Sequence, residues 1–172
     1  AIIEIDEDSL DEYGQWPWKR DLIAQGIIKA YESGAQLVVV PILFAEKDRL
    51  GGDQELVELL NEAPVIIGQS ASTKGKGDPV PRGLATIGES LDGWLFDYPE
   101  AIGPVKELGE VAAGVGMILT APELDGVVRR MPLVIQIKGE AYPTIPLEVI
   151  RLFSGEQSYQ AKVSEAGVEA IR

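Results

Sequence analysis

The sequence contains no cysteine and no histidine. The chain therefore forms no disulfide, offers no thiolate nucleophile and assembles no Cys/His zinc site. A Ser-His-Asp relay is also excluded, because its usual base is missing. The lack of cysteine suits an extracytoplasmic bacterial domain, but many cytoplasmic domains share it, so it does not decide the compartment.

Long hydrophobic runs are missing as well. No stretch approaches the roughly 20 apolar residues that a membrane span needs, and no signal peptide is present. Position 1 is Ala rather than Met, and the apolar run Ile2 to Ile5 follows at once. We expect a fragment trimmed of its flanking segments, although a mature secreted protein would look the same.

Positive charge is scarce, with 15 Lys and Arg against 28 Asp and Glu and a formal charge of −13. Such a chain repels phosphate backbones and anionic membrane surfaces, so we expect no nucleic-acid partner. Apolar residues make up 45% of the 172 residues, enough for a sizeable core. The length predicts a single domain over residues 1–172.

Apolar periodicity predicts alternating strands and helices over the first 69 residues. Strands are expected at 1–6, 36–40 (resuming at 42–44) and 65–67, and helices at 21–33 and 54–61, the second capped by Asp53. This order implies right-handed crossovers and a mainly parallel sheet. Continuous apolar strands agree with helices on both faces.

The rest of the chain is less regular. The pattern predicts a loop at 70–83, strands at 114–119 and 127–138, turns at 121–126 and 139–140, a helix at 144–154 and a hairpin at 159–172. The expected fold class is α/β, with a mixed, mainly parallel sheet, helices on both faces and a C-terminal β-hairpin.

Asp6 and Asp8 follow the first predicted strand in a D-x-D arrangement. Magnesium-dependent phosphotransferases use such a pair as nucleophile and acid/base. They also favour Thr or Val two residues after the second Asp, and position 10 is Leu. The simpler interpretation is that Asp8 or Ser9 caps a short turn while Asp6 holds the strand end.

Trp16 and Trp18 flank Pro17, whose ring fixes φ near −65°. The two indoles could line an aromatic pocket for an organic ligand or a cation. As core anchors they would instead be substantially buried, and this is the prediction we adopt. Arg20 is expected to lie near an acidic partner such as Asp6 or Asp8, with anion binding as the alternative.

Asp125 and Gly126 fit a tight hairpin turn. Arg129 and Arg130 would point to opposite faces of the strand that follows, so one of them could reach a carboxylate such as Asp6. The candidate ligand-binding residues are therefore Trp16, Trp18, Arg20, Asp125 and Arg129. We predict no catalytic residue, no cofactor and no metal site.

An ordered series of motifs resembles the CHASE type-two (CHASE2) domain over residues 2–155. The motifs are Ile3-Glu4-Ile5-Asp6, Ser9-Leu10, Gly14, Trp16-Pro17-Trp18, Arg20, Ser33-Gly34-Ala35, Ile42-Leu43-Phe44, Asp53 with Leu56, Gly114-Val115-Gly116, Asp125-Gly126-Val127-Val128-Arg129-Arg130-Met131-Pro132-Leu133 and Tyr142-Pro143. Two departures matter. Pro41 stands where the family usually has an acidic residue, and the family domain runs on beyond this length.

The resemblance implies an extracytoplasmic (periplasmic or extracellular) sensory domain of a membrane receptor, non-catalytic itself and truncated at its C-terminal side. It implies an anchor before Ala1, transmembrane helices afterwards and a cytoplasmic output module such as an adenylate, guanylate or diguanylate cyclase or a histidine kinase. The expected partners are an unknown small-molecule or protein stimulus and a second copy in the intact receptor. A phosphotransferase using Asp6 and Asp8 is one alternative, and a lobe of a periplasmic solute-binding protein is another.

Overall fold

A computed structural model describes residues 1–119 and 124–172. The helices are α1 (Glu7–Tyr13), α2 (Arg20–Glu32), α3 (Asp53–Glu62), α4 (Lys106–Val111) and α5 (Ile145–Ser154). The strands are β1 (Val38–Leu43), β2 (Val65–Ser72), β3 (Leu84–Gly88), β4 (Asp97–Tyr98), β5 (Glu100–Ile102), β6 (Gly114–Met117), β7 (Val134–Ile137), β8 (Glu140–Pro143), β9 (Tyr159–Ser164) and β10 (Gly167–Ile171).

The central sheet is parallel around β2. Strand β1 pairs with β2 from Val38 opposite Val65, and β6 pairs with β2 from Gly114 opposite Ile66. Strand β5 adds an antiparallel pairing to the last residues of β2. The crossovers through α3 and α4 require this parallel arrangement, because a helix must return the chain to the starting edge. The α/β class with a largely parallel sheet is confirmed.

Two smaller sheets complete the fold. Strand β3 runs parallel to β9, which forms an antiparallel hairpin with β10. Strand β4 runs parallel to β7, which forms a hairpin with β8 through a two-residue turn at Lys138 and Gly139, both with positive φ. Such turns match the right-handed twist of the strands that they join. The predicted C-terminal hairpin is confirmed, but the strands divide among three sheets rather than one.

Helices cover both faces of the central sheet, as predicted. On one face α2, α3 and α4 enclose the main core, in which Leu56, Val65, Leu108 and Val115 are inaccessible to solvent. Leu56 and Leu60 lie one helical turn apart, so α3 presents a single apolar stripe to the sheet. On the other face α5 packs against β6.

Close packing of α5 on β6 depends on glycine. A Cβ atom placed at Gly116 would lie 2.6 Å from the Cα of Ile145 and 2.7 Å from its backbone nitrogen. Both atoms belong to the backbone at the start of α5, so no side-chain rotation relieves the overlap. The helix approaches the sheet this closely only because position 116 has no side chain.

We expect Gly116→Ala to lower the free energy of unfolding by about 1–3 kcal/mol, the usual cost of forcing extra atoms into a packed core. The same change at Gly26, on the exposed side of α2 with no heavy atom within 4 Å of the added carbon, should raise it by about 1 kcal/mol through helix propensity. Urea unfolding of both variants measures the two effects. Equal effects would contradict the steric explanation.

Several predicted elements are wrong in extent. Residues 1–6 form no strand and are exposed, with Ile2 at 95% and Ile3 at 76% of full accessibility. The chain from 127 to 133 is not strand, and strand structure begins only at Val134. Strand β2 continues to Ser72, into the predicted loop. A strand needs a paired neighbour, and apolar patterning alone does not supply one.

The structure also corrects two local details. Strand β1 runs through Pro41, and its register against β2 shifts between Val40 and Leu43. Proline donates no backbone hydrogen bond, so an edge position with a register shift is where a strand accepts it. Of the predicted turn at 121–126, residues 121–123 lie outside the described residues.

Candidate functional site

Arg20 is the centre of a polar network at the start of α2, and its side chain is almost completely buried, with 6% of the residue exposed. Its Nη1 donates to Asp53 Oδ1, and its Nη2 donates to the backbone carbonyl of Glu46. The guanidinium also lies 5.1 Å from the centroid of the Phe44 ring. This charge therefore has an ionic partner, a carbonyl partner and an aromatic face.

The loop at 45–52 is tied to α2 through two carboxylates. Asp48 accepts hydrogen bonds from the backbone nitrogens of Arg20 (2.8 Å) and Leu50 (2.9 Å). Asp53 accepts one from the Asp48 nitrogen at 3.0 Å. At Gly52, φ is 99° and an added Cβ would lie 2.5 Å from the Asp21 nitrogen. The loop is thus held by side chains and by direct backbone approach.

The aromatic residues before α2 pack on one another. The Trp16 and Trp18 rings lie 5.9 Å apart at 59°, and Tyr13 meets Trp18 edge-on at 5.6 Å. Trp18 Nε1 donates to the Gly14 carbonyl at 2.6 Å, and the Trp16–Pro17 peptide bond is cis. These contacts fix the rings with respect to each other.

Between these rings and the end of β1 lies a cleft of about 850 Å³, which we call the tryptophan cleft. Its lining consists of residues 16–18, Arg20, Ile23, 41–50 and Lys76. The volume falls within the range of small-molecule sites. The cleft also opens at the carboxyl end of a parallel strand, where α/β proteins commonly bind their ligands.

The structure brings together three of the five candidate residues, Trp16, Trp18 and Arg20, in this lining. The prediction that both tryptophans are substantially buried is wrong for Trp16, which is 41% exposed, whereas Trp18 is half-buried. The rings contact each other rather than the main core. Trp16→Ala should accordingly cost less than the 3–5 kcal/mol of a core aromatic.

Arg20 has an acidic partner, as predicted, but the partner is Asp53 rather than Asp6 or Asp8. Asp53 was predicted to cap α3. The N-cap of α3 is Gly52. The Asp53 carboxylate instead accepts hydrogen bonds from the Arg20 side chain and from the Asp48 backbone nitrogen in the loop. Sequence reasoning missed Asp48, Phe44 and Lys76 as cleft residues. The charged run at 46–49, which follows a strand, was a signal for Asp48 alone.

Asp6 is the N-cap of α1. Its Oδ1 accepts hydrogen bonds from the Ser9 backbone nitrogen at 3.0 Å and from Ser9 Oγ at 2.6 Å. These bonds hold the pKa of the Asp6 carboxyl below its usual value. Capping was predicted for Asp8 or Ser9, so the assignment moves to Asp6. In the described part of the chain, no group of three or more acidic residues is placed to hold a metal ion.

Asp125 and Arg129 form an ion pair away from the tryptophan cleft. Arg129 donates to both carboxylate oxygens, at 3.0 and 2.8 Å, and both side chains are about half-exposed. This pairing lowers the pKa of Asp125. Arg129 thus pairs within its own segment rather than with Asp6, because residues 127–133 form no strand to carry it inward.

A second polar cluster lies under α5 and was not predicted. The Glu148 carboxylate is completely buried and accepts hydrogen bonds from Arg151, at 3.1 and 2.8 Å, and from the Tyr159 hydroxyl. Burial, with the neighbouring Glu148, raises the pKa of Tyr159. An added Cβ at Gly114 would lie 2.5 Å from Glu148 Oε2. In sequence, Glu148 and Arg151 look like an ordinary surface pair on a helix.

The fold and site together define the class: a mixed α/β domain that presents an open cleft at the carboxyl end of a strand. The CHASE2 domain model matches residues 1–170, and the chain belongs to that family. CHASE2 domains are extracellular, non-catalytic sensory modules of signal-transduction receptors, so a sensory role follows for this chain. No curated protein and no solved structure matches it.

Among the described residues, no helix is long and apolar enough to cross a bilayer.

Proposed function

We propose that this chain is the extracytoplasmic input domain of a transmembrane receptor, that it binds its stimulus in the tryptophan cleft, and that it controls a cytoplasmic cyclase or kinase module. Family membership supports the sensory role. The observation that carries the site assignment is the contrast between the two walls of the cleft, one held firmly and the other weakly.

The firm wall is the loop at 45–50, which Arg20, Asp48 and Asp53 attach to α2 and α3. The weak wall is the segment at 1–19, in which no residue is buried. Helix α1 contributes nothing to the core. A segment with few buried contacts opens at low free-energy cost. A ligand between Trp16 and the loop would therefore hold the N-terminal segment against the domain.

Signalling requires that the ligand prefer one arrangement of these two walls, because equal affinity for both shifts no population. The segment at 1–19 precedes the domain core, so its position would bias whatever anchor comes before it in the receptor. We propose that the receptor is a homodimer. Tethering raises the effective concentration to about the millimolar range, so a weak contact between two domains suffices.

The test uses the intact receptor and measures the product of its output module. Deleting residues 1–172 should abolish the response to the stimulus, and Trp16→Ala or Trp18→Ala should shift the half-maximal stimulus concentration upward by about tenfold, which corresponds to the loss of about 1.4 kcal/mol of stacking. Arg129→Ala, outside the cleft, is the matched comparison. An unchanged response after deletion means that this domain is not the sensor.

A further inference from the structure

The lining of the tryptophan cleft has more basic than acidic side chains, whereas the whole protein has more acidic than basic ones. The chain carries 15 basic and 28 acidic residues. In the cleft, four basic side chains (Arg20, Lys47, Arg49 and Lys76) meet two acidic ones, Glu46 and Asp48. The lining itself therefore carries two more basic than acidic side chains.

Two of these charges are occupied in building the loop. Arg20 pairs with Asp53, and Asp48 accepts backbone N–H groups. Asp48 keeps its negative charge, and the other charged side chains of the lining are Glu46, Lys47, Arg49 and Lys76. Each of these four side chains lies at the solvent-facing part of the lining.

Glu46 reports the local field. Lys76 Nζ contacts the Glu46 carboxylate, and Lys76, with a smaller contribution from Arg49, holds the pKa of Glu46 below its usual value. Lys47 reaches Glu107, outside the cleft, at 3.3 Å. Lys76 and Arg49 therefore stabilise a carboxylate at this point of the lining, and in the structure that carboxylate is Glu46.

The other walls are apolar. Trp16, Leu43 and Leu50 are each at least 41% exposed in the lining. An indole face and two aliphatic side chains favour a ligand with an aromatic or aliphatic body. Cationic groups beside apolar surface suit a molecule that carries both features.

We propose that the tryptophan cleft binds a small organic anion, with its carboxylate between Lys76 and Arg49 and its apolar body against Trp16. The inference rests on the proposed function, since it names the ligand class of the same site. The anion competes with Glu46 for Lys76, so the empty and filled cleft differ in which carboxylate Lys76 contacts.

The experiment compares three probes that share a phenyl ring and differ in charge: the anion phenylacetate, the neutral phenylacetamide and the cation phenethylammonium. Binding to the 172-residue chain is followed by tryptophan fluorescence in a Trp94→Phe background, which leaves Trp16 and Trp18 as the reporters. Phenylacetate should bind at least about fivefold more tightly than phenylacetamide, and phenethylammonium most weakly. The preference for phenylacetate over phenylacetamide should decrease when the salt concentration rises to about 0.5 M, because salt screens exposed charges.

Variants of the charged lining residues test which side chains cause the preference for phenylacetate. Lys76→Gln and Arg49→Gln should each weaken phenylacetate binding by about two- to fivefold and leave phenylacetamide unchanged. Glu46→Gln should strengthen phenylacetate binding by a similar factor, because it removes the competing carboxylate. Lys162→Gln is the matched control, since Lys162 forms an equally exposed pair with Glu169 outside the cleft.

The outcomes distinguish a failure of the anion proposal from a failure of the cleft as the ligand site. If phenylacetamide or phenethylammonium binds as tightly as phenylacetate, and Trp16→Ala abolishes that binding, the anion inference is overturned while the cleft remains the ligand site. If none of the probes binds below about 10 mM, a very weak affinity, both the inference and the assignment of the cleft are overturned.

Discussion

Glu148→Gln is expected to lower the free energy of unfolding by about 3–5 kcal/mol, the cost of removing one partner of a buried ion pair. Glutamine keeps the shape of the side chain but leaves Arg151 as an uncompensated charge in the interior. Tyr159 loses a charged acceptor at the same time. Urea unfolding followed by far-ultraviolet circular dichroism measures the loss.

Two further variants test the cause. Glu110→Gln removes a carboxylate from an exposed pair with Lys106 and should change stability by less than about 1 kcal/mol. Combining Glu148→Gln with Arg151→Met removes both charges of the buried pair and should recover part of the loss, but not all of it, because Arg82, whose Nε lies 3.7 Å from Glu148 Oε1, still loses its carboxylate. A loss below 1 kcal/mol for Glu148→Gln alone would show that the cluster does not hold α5 to the strands.

Arg20→Met is expected to lower the free energy of unfolding by about 3 kcal/mol, because Asp53 loses its ionic partner and the Glu46 carbonyl loses its donor. Methionine fills similar space, so lost packing is a minor part of the effect. The loop at 45–52 should also exchange its amide hydrogens faster, because α2 no longer holds it. Urea unfolding and hydrogen exchange give the two readouts.

Lys29→Met is the control for Arg20, because Lys29 forms an exposed pair with Glu32 on the same helix and should change stability by less than about 1 kcal/mol. Arg20→Lys keeps the charge but not the two-pronged geometry and should fall between the other two. If Arg20→Met unfolds like the unsubstituted protein and the loop keeps its protection, the network does not position the cleft.

Arg20 and the tryptophans therefore have separate roles in the proposed receptor. Arg20 is a positioning residue, since its donors are used by Asp53 and Glu46. In the proposed complex the ligand contacts Trp16, Arg49 and Lys76, and Lys76 exchanges Glu46 for the anion. This division explains why a variant at Arg20 should disturb stability first, whereas a variant at Trp16 should disturb the response first.

Periodicity predicted helices where one face is buried against the sheet. In α2 and α3 the apolar residues recur every three or four positions, and their bounds lie within one or two residues of the expectation. Helix α5 likewise begins one residue after the predicted start. Local chemistry is sufficient for such elements, because spacing along one helix decides which side chains share a face.

Strand predictions failed where pairing decides the outcome. Residues 1–6 and 127–133 have strand-like composition, yet neither segment forms a strand. A strand is stable only when another strand supplies its hydrogen-bond partners, and those partners are distant in sequence. The division into three sheets could not be predicted for the same reason.

The site shows the same contrast between local and distant contacts. The sequence determined, through Trp16, Trp18 and Arg20, that a distinctive aromatic and basic segment leads into α2. The CHASE2 motifs identified the family and its sensory role. Only the tertiary structure decided that Asp53 is the partner of Arg20, 33 residues away, and that Glu148, Arg151 and Tyr159 share one buried cluster. An ion pair depends on the distance between charges in space, and for buried pairs that distance is set by the packing of helices on the sheet.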